Sequence, residues 1–379
     1  MNSVIIHLEK SKAIKQIRLV FIGISLLLVG GSPLTWAQPF TPKSGDYIVA
    51  KWQVTATDKK SSASLAYVEW LINQGQYVGK SAYNFGRAKA LLASHLAKPR
   101  VESQAWYLSA RILQHQHQFK SALKALDTVL ATSPEMLSAR LLKANIHLAM
   151  SEYPMARHTC LMLLGQADML TVAACTLEVE SYQGKLEQSY HQLAQLLTRY
   201  PLPEDEAGVW ILQLLADMAY RQGDFQSALN WLNQYPQESK PLSFIVQWAD
   251  IHLSLSQAEP VITELTAIVN TAAFKDDALL LRLALAEKQL TGKQYWAQQM
   301  AERVNLREQR QDIFHAAELA RYYLEIKPDP VKALYWADIN WQSAKLAADK
   351  HLLQQANLMQ ANTAAISIVP TGLSSMNNK

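Results

Sequence analysis

Apolar positions along this chain recur every three or four residues, in stretches separated by short polar breaks. Such spacing places apolar side chains on one face of an α-helix, whereas a half-buried strand would alternate apolar and polar residues. The breaks carry turn-forming residues, as at Ser133-Pro134, Gly165 and Gly223-Asp224. Because the breaks are short, consecutive helices fold back on each other, and the pattern predicts an all-α fold built of antiparallel helix hairpins.

Four alanines set the phase of a repeat. Ala144 lies 34 residues after Ala110, and Ala156 lies 34 residues after Ala122. Two helices of a hairpin approach closely only where each has a small residue. Ala110 and Ala122 therefore mark the helix contact in one hairpin, and Ala144 and Ala156 mark it in the next. A period of this length is typical of helical solenoids, in which neighbouring hairpins stack to bury their apolar faces.

The repeat resembles the tetratricopeptide repeat family. The family pattern has a large aromatic residue, a small residue, a second small residue twelve positions later and a proline, and Trp106, Ala110, Ala122 and Pro134 match it. The chain departs from the family's usual residue types at three positions: Ser109, Leu113 and Val129. The resemblance implies a right-handed superhelical solenoid with a concave, peptide-binding face.

The resemblance covers residues 64–360, where the pattern predicts about eight helix hairpins. Residues 38–63 contain prolines, a glycine and several polar residues, and we predict an extended segment there. Residues 361–379 end in small and polar residues, and we predict a disordered tail.

Residues 1–37 have the features of a secretory signal peptide. Basic residues precede the apolar run 19–29, and Thr35-Trp36-Ala37 places small residues at the two positions that a signal peptidase recognises. We predict cleavage after Ala37 and a periplasmic or secreted protein. The alternative is an uncleaved inner-membrane anchor formed by residues 19–31, although a span needs about 20 apolar residues. We predict no membrane span in the mature chain.

Removal of the signal peptide changes the charge of the protein. The full chain has a formal net charge of +4, and residues 1–37 hold four basic residues and Glu9, a net +3, so the mature chain is left with 4 − 3 = +1. A nearly neutral surface lacks the basic patch that nucleic-acid binding requires. We therefore expect a protein or peptide partner.

The two cysteines, Cys160 and Cys175, fall in the second helix of one hairpin and the first helix of the next. They lie at similar distances from the connection between these helices, so a disulfide is geometrically possible, and an oxidising compartment would favour it. Alternatively, both side chains pack in the core as small apolar groups.

Catalytic and metal-binding motifs are not evident in the sequence. The stretch 75–81 ends like a phosphate-binding loop, but only three residues separate its glycines and it follows a helix. His115 and His117 fall at a turn without the spacing of a four-ligand metal site. We predict no catalytic residue, no cofactor and no metal site.

In this architecture the first helix of each hairpin lines the concave face. Helical spacing away from the packed alanines predicts eight residues there: Tyr107, Arg111, Gln114, Asn145, Tyr182, Asp217, Arg221 and Asp250. Aromatic, arginine and amide side chains offer flat contact area and hydrogen-bonding groups to an extended peptide. Family members that capture a terminal carboxylate use lysine, arginine and asparagine together, and here only Arg111 and Asn145 are of these types.

The sequence thus predicts a non-catalytic protein-binding scaffold of the cell envelope that recognises its partner in the concave groove. Two alternatives stay open. One is a structural subunit of an envelope export or assembly machine for polysaccharide or pili. The other is an envelope enzyme whose site is scattered along the sequence, which a deep pocket with convergent titratable groups would favour.

Overall fold

The computed structural model describes residues 64–235, 239–290, 292 and 294–368, with the backbone alone for 364–368. Every regular element in these ranges is helical, and seventeen α-helices follow one another. The prediction of an all-α chain of antiparallel hairpins is confirmed. Residues 1–63, which include the predicted signal peptide and extended segment, lie outside the described residues, as do residues 369–379.

The first ten helices are α1 Leu65–Gln74, α2 Ser81–Leu96, α3 Ser103–His115, α4 Phe119–Thr132, α5 Leu137–Ala149, α6 Tyr153–Leu161, α7 Met169–Tyr182, α8 Leu186–Leu196, α9 Glu206–Arg221 and α10 Phe225–Leu232. The remaining helices are α11 Leu242–Ser254, α12 Ala258–Thr271, α13 Asp277–Leu290, α14 Tyr295–Gln309, α15 Ala316–Arg321, α16 Pro330–Ser343 and α17 Ala347–Ile368. A short 3₁₀-helix, Ile313–His315, precedes α15, and a π-helix, Tyr322–Ile326, follows it. Helices α1 to α16 form eight hairpins within the described residues, and α17 packs on α16.

The four alanines that set the phase are all buried. Ala110 of α3 and Ala122 of α4 have no exposed surface, and Ala144 and Ala156 occupy the same places in the next hairpin. Side chains at equivalent positions of neighbouring hairpins also touch. The Tyr220 hydroxyl lies 3.0 Å from the Ser254 hydroxyl, 34 residues further on. The 34-residue repeat is therefore a repeat of contacts as well as of residue types.

The turns inside the hairpins share one backbone geometry. Gly184 and Gly223 adopt positive φ after α7 and α9, and Ser151 and Ser256 do so after α5 and α11. In each case the next amide donates to the carbonyl five residues earlier, for example from Asp224 to Ala219 at 3.0 Å. This bond belongs to the Schellman motif, which satisfies the free carbonyls at a helix end.

The core is a series of buried clusters that partly buried aromatic residues connect. Trp210 packs against two successive clusters, and Trp231 and Trp248 each do the same further along the chain. Large flat side chains suit this position because they cover the seam between two hairpins.

Hairpins far apart in the sequence also meet. The Gly79 amide donates to Asp276 Oδ2 at 2.7 Å across 197 residues, and Ser151 Oγ donates to the Lys345 carbonyl at 2.6 Å across 194 residues. The Lys345 amide donates to the Ala149 carbonyl at 2.8 Å. The array therefore curves enough to bring a hairpin against another that follows about six repeats later.

The last helix extends past the predicted end of the solenoid. Helix α17 runs through Ile368, so its end does not match the disordered tail predicted from residue 361. Glycine and proline are absent between Ala347 and Ile368, so no residue of this stretch interrupts the helix. Within the described residues, no helix combines the length and apolar character that crossing a membrane requires.

Candidate binding site

A cavity of about 330 Å³ opens between α5, α7 and α9, which are the first helices of three successive hairpins. We call it the α5–α9 cavity. Its apolar wall includes Leu141 and Leu148 of α5 and Val179 of α7, and its polar groups come from Asn145, Glu178 and Glu206. A mostly apolar cavity with a few polar groups is the usual form of a binding pocket.

Glu178 and Trp210 are neighbours in the wall of this cavity. Both line it, and the Trp210 side chain is hydrogen-bonded to the Glu178 carboxylate. Burial raises the pKa of Glu178 to about 7, and the nearby Asp217 carboxylate adds to the increase, while Arg221 and the bond from Trp210 oppose it. Glu178 therefore exchanges its proton near neutral pH.

Beside the cavity lies a group that we call the Arg221 cluster, formed by Ser181, Tyr182, Asp217 and Arg221. Arg221 Nε donates to Asp217 Oδ2 at 2.8 Å, and Arg221 Nη2 donates to Ser181 Oγ at 2.7 Å. The guanidinium carbon lies 4.1 Å from the centre of the Tyr182 ring, within cation–π range. Burial is the main cause that raises the pKa of Tyr182. The cluster is held by α7 and α9 together.

A second charged group, the Asp250 cluster, joins α11, α13 and α15. Arg282 donates to both carboxylate oxygens of Asp250, at 3.1 and 2.6 Å, and Arg321 Nη1 donates to Oδ1 at 3.1 Å. Burial opposes ionisation of Asp250, but the two guanidinium groups outweigh it and hold its pKa below the usual range. Since Asp250 already has two arginine partners, we assign it a role in joining hairpins.

Cys160 and Cys175 form a disulfide that joins α6 to α7, with their Cα atoms 5.6 Å apart. Both half-cystines line the α5–α9 cavity. Of the two interpretations left open by the sequence, the structure has the disulfide. It ties together the two hairpins that contribute α5 and α7 to the cavity.

The structure distributes the eight predicted groove residues over several places. Asn145 lines the α5–α9 cavity, Tyr182, Asp217 and Arg221 meet beside it, and Asp250 lies in its own cluster. Tyr107 and Arg111 of α3 contact each other, with the guanidinium 6.0 Å from the ring centre. Gln114 lies one turn further along α3 and is not part of the cavity wall.

Three cavity residues on which the proposals below depend, Glu178, Glu206 and Trp210, were not among the predicted groove residues. Trp210 was interpreted as a core residue, and it packs against core clusters while also lining the cavity. The spacing of Glu178 and Trp210 from the predicted residues could have identified both of them. Glu178 precedes Tyr182 by one helical turn and Trp210 precedes Asp217 by two, so each lies on the same helix face as a predicted residue.

The cavity wall holds carboxylates but no activated nucleophile among the described residues. Thr171, the one hydroxyl-bearing residue of the described wall, donates its hydroxyl to Asp168 Oδ2 at 2.6 Å, where it supports the start of α7. The part of the chain that the structure describes contains no group of three or more metal-ligating side chains placed to hold an ion.

This chain is similar to at least one solved structure, whereas the family models and the curated proteins give no match. Among the solved structures, the TPR domain of P58(IPK) is similar at 13% identity, over 79% of this chain and 99% of that domain, with a TM-score of 0.27. The description of the chain as a TPR-like helical repeat protein rests on the hairpins and contacts described above.

Proposed function

We propose that this protein is a non-catalytic scaffold that binds a segment of a partner protein at the α5–α9 cavity and the adjacent Arg221 cluster. The observation that carries this proposal is the cavity itself. Three successive first helices supply its wall, and an apolar side chain of a partner would bury its surface against Leu141, Leu148 and Val179.

Polar groups at this site suit the backbone of an extended segment. Asn145 is exposed at the cavity and offers both a donor and an acceptor, as an unpaired peptide group requires. The aromatic ring of Tyr182 and the guanidinium of Arg221 lie in the Arg221 cluster beside the cavity. Residues of these types supply much of the binding energy in protein interfaces.

Site-specific photo-cross-linking in living cells tests this proposal. A benzophenone side chain at position 145 should give one discrete cross-linked species after illumination. The control position is Gln195, which is exposed on α8, the second helix of its hairpin. Equal cross-linking from both positions, or none from position 145, would contradict a binding role for the cavity.

We further propose that the protein works in the bacterial cell envelope, in the periplasm or held at the inner membrane. The signal-like residues 1–37 support export, and the disulfide supports an oxidising compartment. Thiol alkylation of protein isolated from cells without reduction, followed by mass measurement, tests the location. Two unmodified cysteines would agree with export, whereas two alkylated thiols would place the chain in a reducing compartment.

A further inference from the structure

The α5–α9 cavity contains two carboxylates and an aromatic ring but no basic residue in its described wall. Glu178 and Glu206 supply the carboxylates, and Trp210 supplies the ring. Arg221 is the basic group that acts on Glu178, and its guanidinium is bonded to Asp217 and Ser181 beside the cavity. The negative charge inside the cavity is therefore not matched by a cation of the described wall.

We propose that the α5–α9 cavity receives a lysine or arginine side chain of the partner segment. The aliphatic stem would pack along Leu141, Leu148 and Val179, and the cationic head would bind between the carboxylates of Glu178 and Glu206 against the Trp210 ring. This inference rests on the proposed binding function and names the chemistry of its ligand.

The connection between α16 and α17 packs beside the cavity. Leu346 packs against the cluster that includes Cys160 and Val179, so an apolar side chain approaches from this side. The neighbouring Lys345 ammonium lies 6.0 Å from the centre of the Trp341 ring, and Lys345 is not part of the cavity wall. Among the described residues, no lysine or arginine lines the cavity, and in this proposal the partner supplies the cation.

The proton on Glu178 competes with the proposed cation. Burial raises the pKa of Glu178 to about 7, and the groups that act on it are Asp217, Arg221, Tyr182 and the Trp210 side chain. Asp217 and Arg221 are paired with each other at 2.8 Å. Cation binding should therefore weaken about tenfold between pH 8 and pH 6, as Glu178 takes up its proton.

Nuclear magnetic resonance of ¹⁵N-labelled indole groups in the full mature chain tests the inference directly. The Trp210 signal is assigned by its loss in Trp210→Phe. Titration with N-acetyl-lysinamide or N-acetyl-argininamide should shift this signal to saturation, whereas N-acetyl-norleucinamide, which has the stem without the charge, should bind at least about tenfold more weakly.

Glu178→Gln keeps the size of the side chain and an acceptor for Trp210, and it should weaken binding of the cationic probes about tenfold. Glu187→Gln, at an exposed glutamate of α8, is the matched control and should bind as the parent does. An unchanged affinity in Glu178→Gln, or equal binding of the norleucine probe, would overturn the inference. Changes in the indole signals of tryptophans other than Trp210, without ligand, would reveal misfolding, and Glu206→Gln then serves as the second variant.

The cross-linking experiment separates this inference from the proposed function. If Glu178→Gln retains the cross-link from position 145 at full yield, the cavity binds a partner without using a cation, and only the inference fails. If position 145 gives no cross-link in the parent protein, the proposed function itself fails.

Discussion

At the scale of single residues, Gly208 shows how one missing methyl group shapes the cavity. Gly208 follows Glu206 at the start of α9, and a Cβ atom there would overlap the carbonyl oxygen of Pro203. The backbone of residue 203 and the first turn of α9 can therefore pack this closely only around glycine. That turn positions Glu206, two residues before Gly208, and Trp210, two residues after it.

We predict that Gly208→Ala lowers the free energy of unfolding by about 1–3 kcal/mol, because the backbone must shift to admit the methyl group. Gly86→Ala is the matched control, since Gly86 lies inside α2 with open space around its Cα. It should raise the free energy of unfolding by about 0.5–1 kcal/mol, the usual helix preference for alanine. Urea unfolding measures both, and a loss of the same size in both variants would contradict the packing argument.

Glu178 gives a prediction about pH. Its pKa is about 7 in the folded protein, against an ordinary value of 4.5, so the folded state holds this proton more tightly than the unfolded state. Stability from this group is fully present below about pH 4.5 and is lost as the pH rises through about 7. Glu178→Gln should remove this loss, so its stability relative to the parent rises between pH 4.5 and pH 7.5. Urea unfolding at three pH values measures it, with Glu187→Gln expected to follow the parent.

At the scale of elements, the hairpin turns place residues of different types in one conformation. Ser256 has a φ of 57° and Gly223 a φ of 82° at the same point of two successive turns. A side chain in this left-handed region meets the backbone, whereas glycine does not. The serine turns therefore store strain that the glycine turns avoid.

Ser256→Gly should raise the free energy of unfolding by up to about 1 kcal/mol, and Gly223→Ala should lower it by about 1–2 kcal/mol. Both positions are exposed, so lost packing contributes little. Thermal and urea unfolding of the two variants measure these changes. The two variants should change the free energy of unfolding in opposite directions. A loss of stability in both would mean that the turn conformation does not determine the stability of either variant.

Sequence reasoning predicted the hairpins because their signals are local. Gly223-Asp224 marks its turn, and Asp224 also caps α10 by accepting from the Ser227 amide at 3.0 Å. His117 and Ser151 lie 34 residues apart at equivalent turns, and only the repeat marks these turns, since neither position holds the glycine that usually accompanies positive φ. The last helix was predicted too short, because the tail from residue 361 was predicted from Pro370, Gly372 and the small and polar residues at the end of the sequence.

The candidate site was predictable only in part. Asn145, Tyr182 and Arg221 lie on first helices, and the repeat alone places them near one another. Partners such as Arg321, which reaches Asp250 across 71 residues, depend on how the hairpins rotate against each other, and no local pattern encodes that rotation. A buried charge also leaves no mark in sequence, so the raised pKa of Glu178 became visible only in the folded protein.

At the scale of the described solenoid, contacts between distant hairpins add a constraint that stacking of neighbours does not supply. In a linear array each repeat contacts only its neighbours, so the stability of the array is the sum of the stabilities of the single repeats and of the interfaces between neighbours. Here Lys345 bonds to both Ala149 and Ser151, which ties the start of α17 to the turn between α5 and α6. Leu346 packs there as well, against the cluster beside the α5–α9 cavity. Loosening this contact should thus expose one edge of the binding site.

Ser151→Ala tests this tie, because it removes the 2.6 Å bond from Ser151 Oγ to the Lys345 carbonyl and leaves the backbone otherwise unchanged. We expect a loss of about 1 kcal/mol in the free energy of unfolding, typical of one hydrogen bond. Hydrogen exchange should also speed up at the start of α17.

Ser256→Ala is the matched control, because the φ of Ser256 is 57° and that of Ser151 is 59°. Any effect of alanine on the turn itself is therefore common to both variants. Faster exchange of α17 in both variants would show that turn strain, and not the contact with Lys345, controls the docking of the last helix. Faster exchange in Ser151→Ala alone would mean that a bond between residues 194 positions apart holds the start of α17 against the turn between α5 and α6.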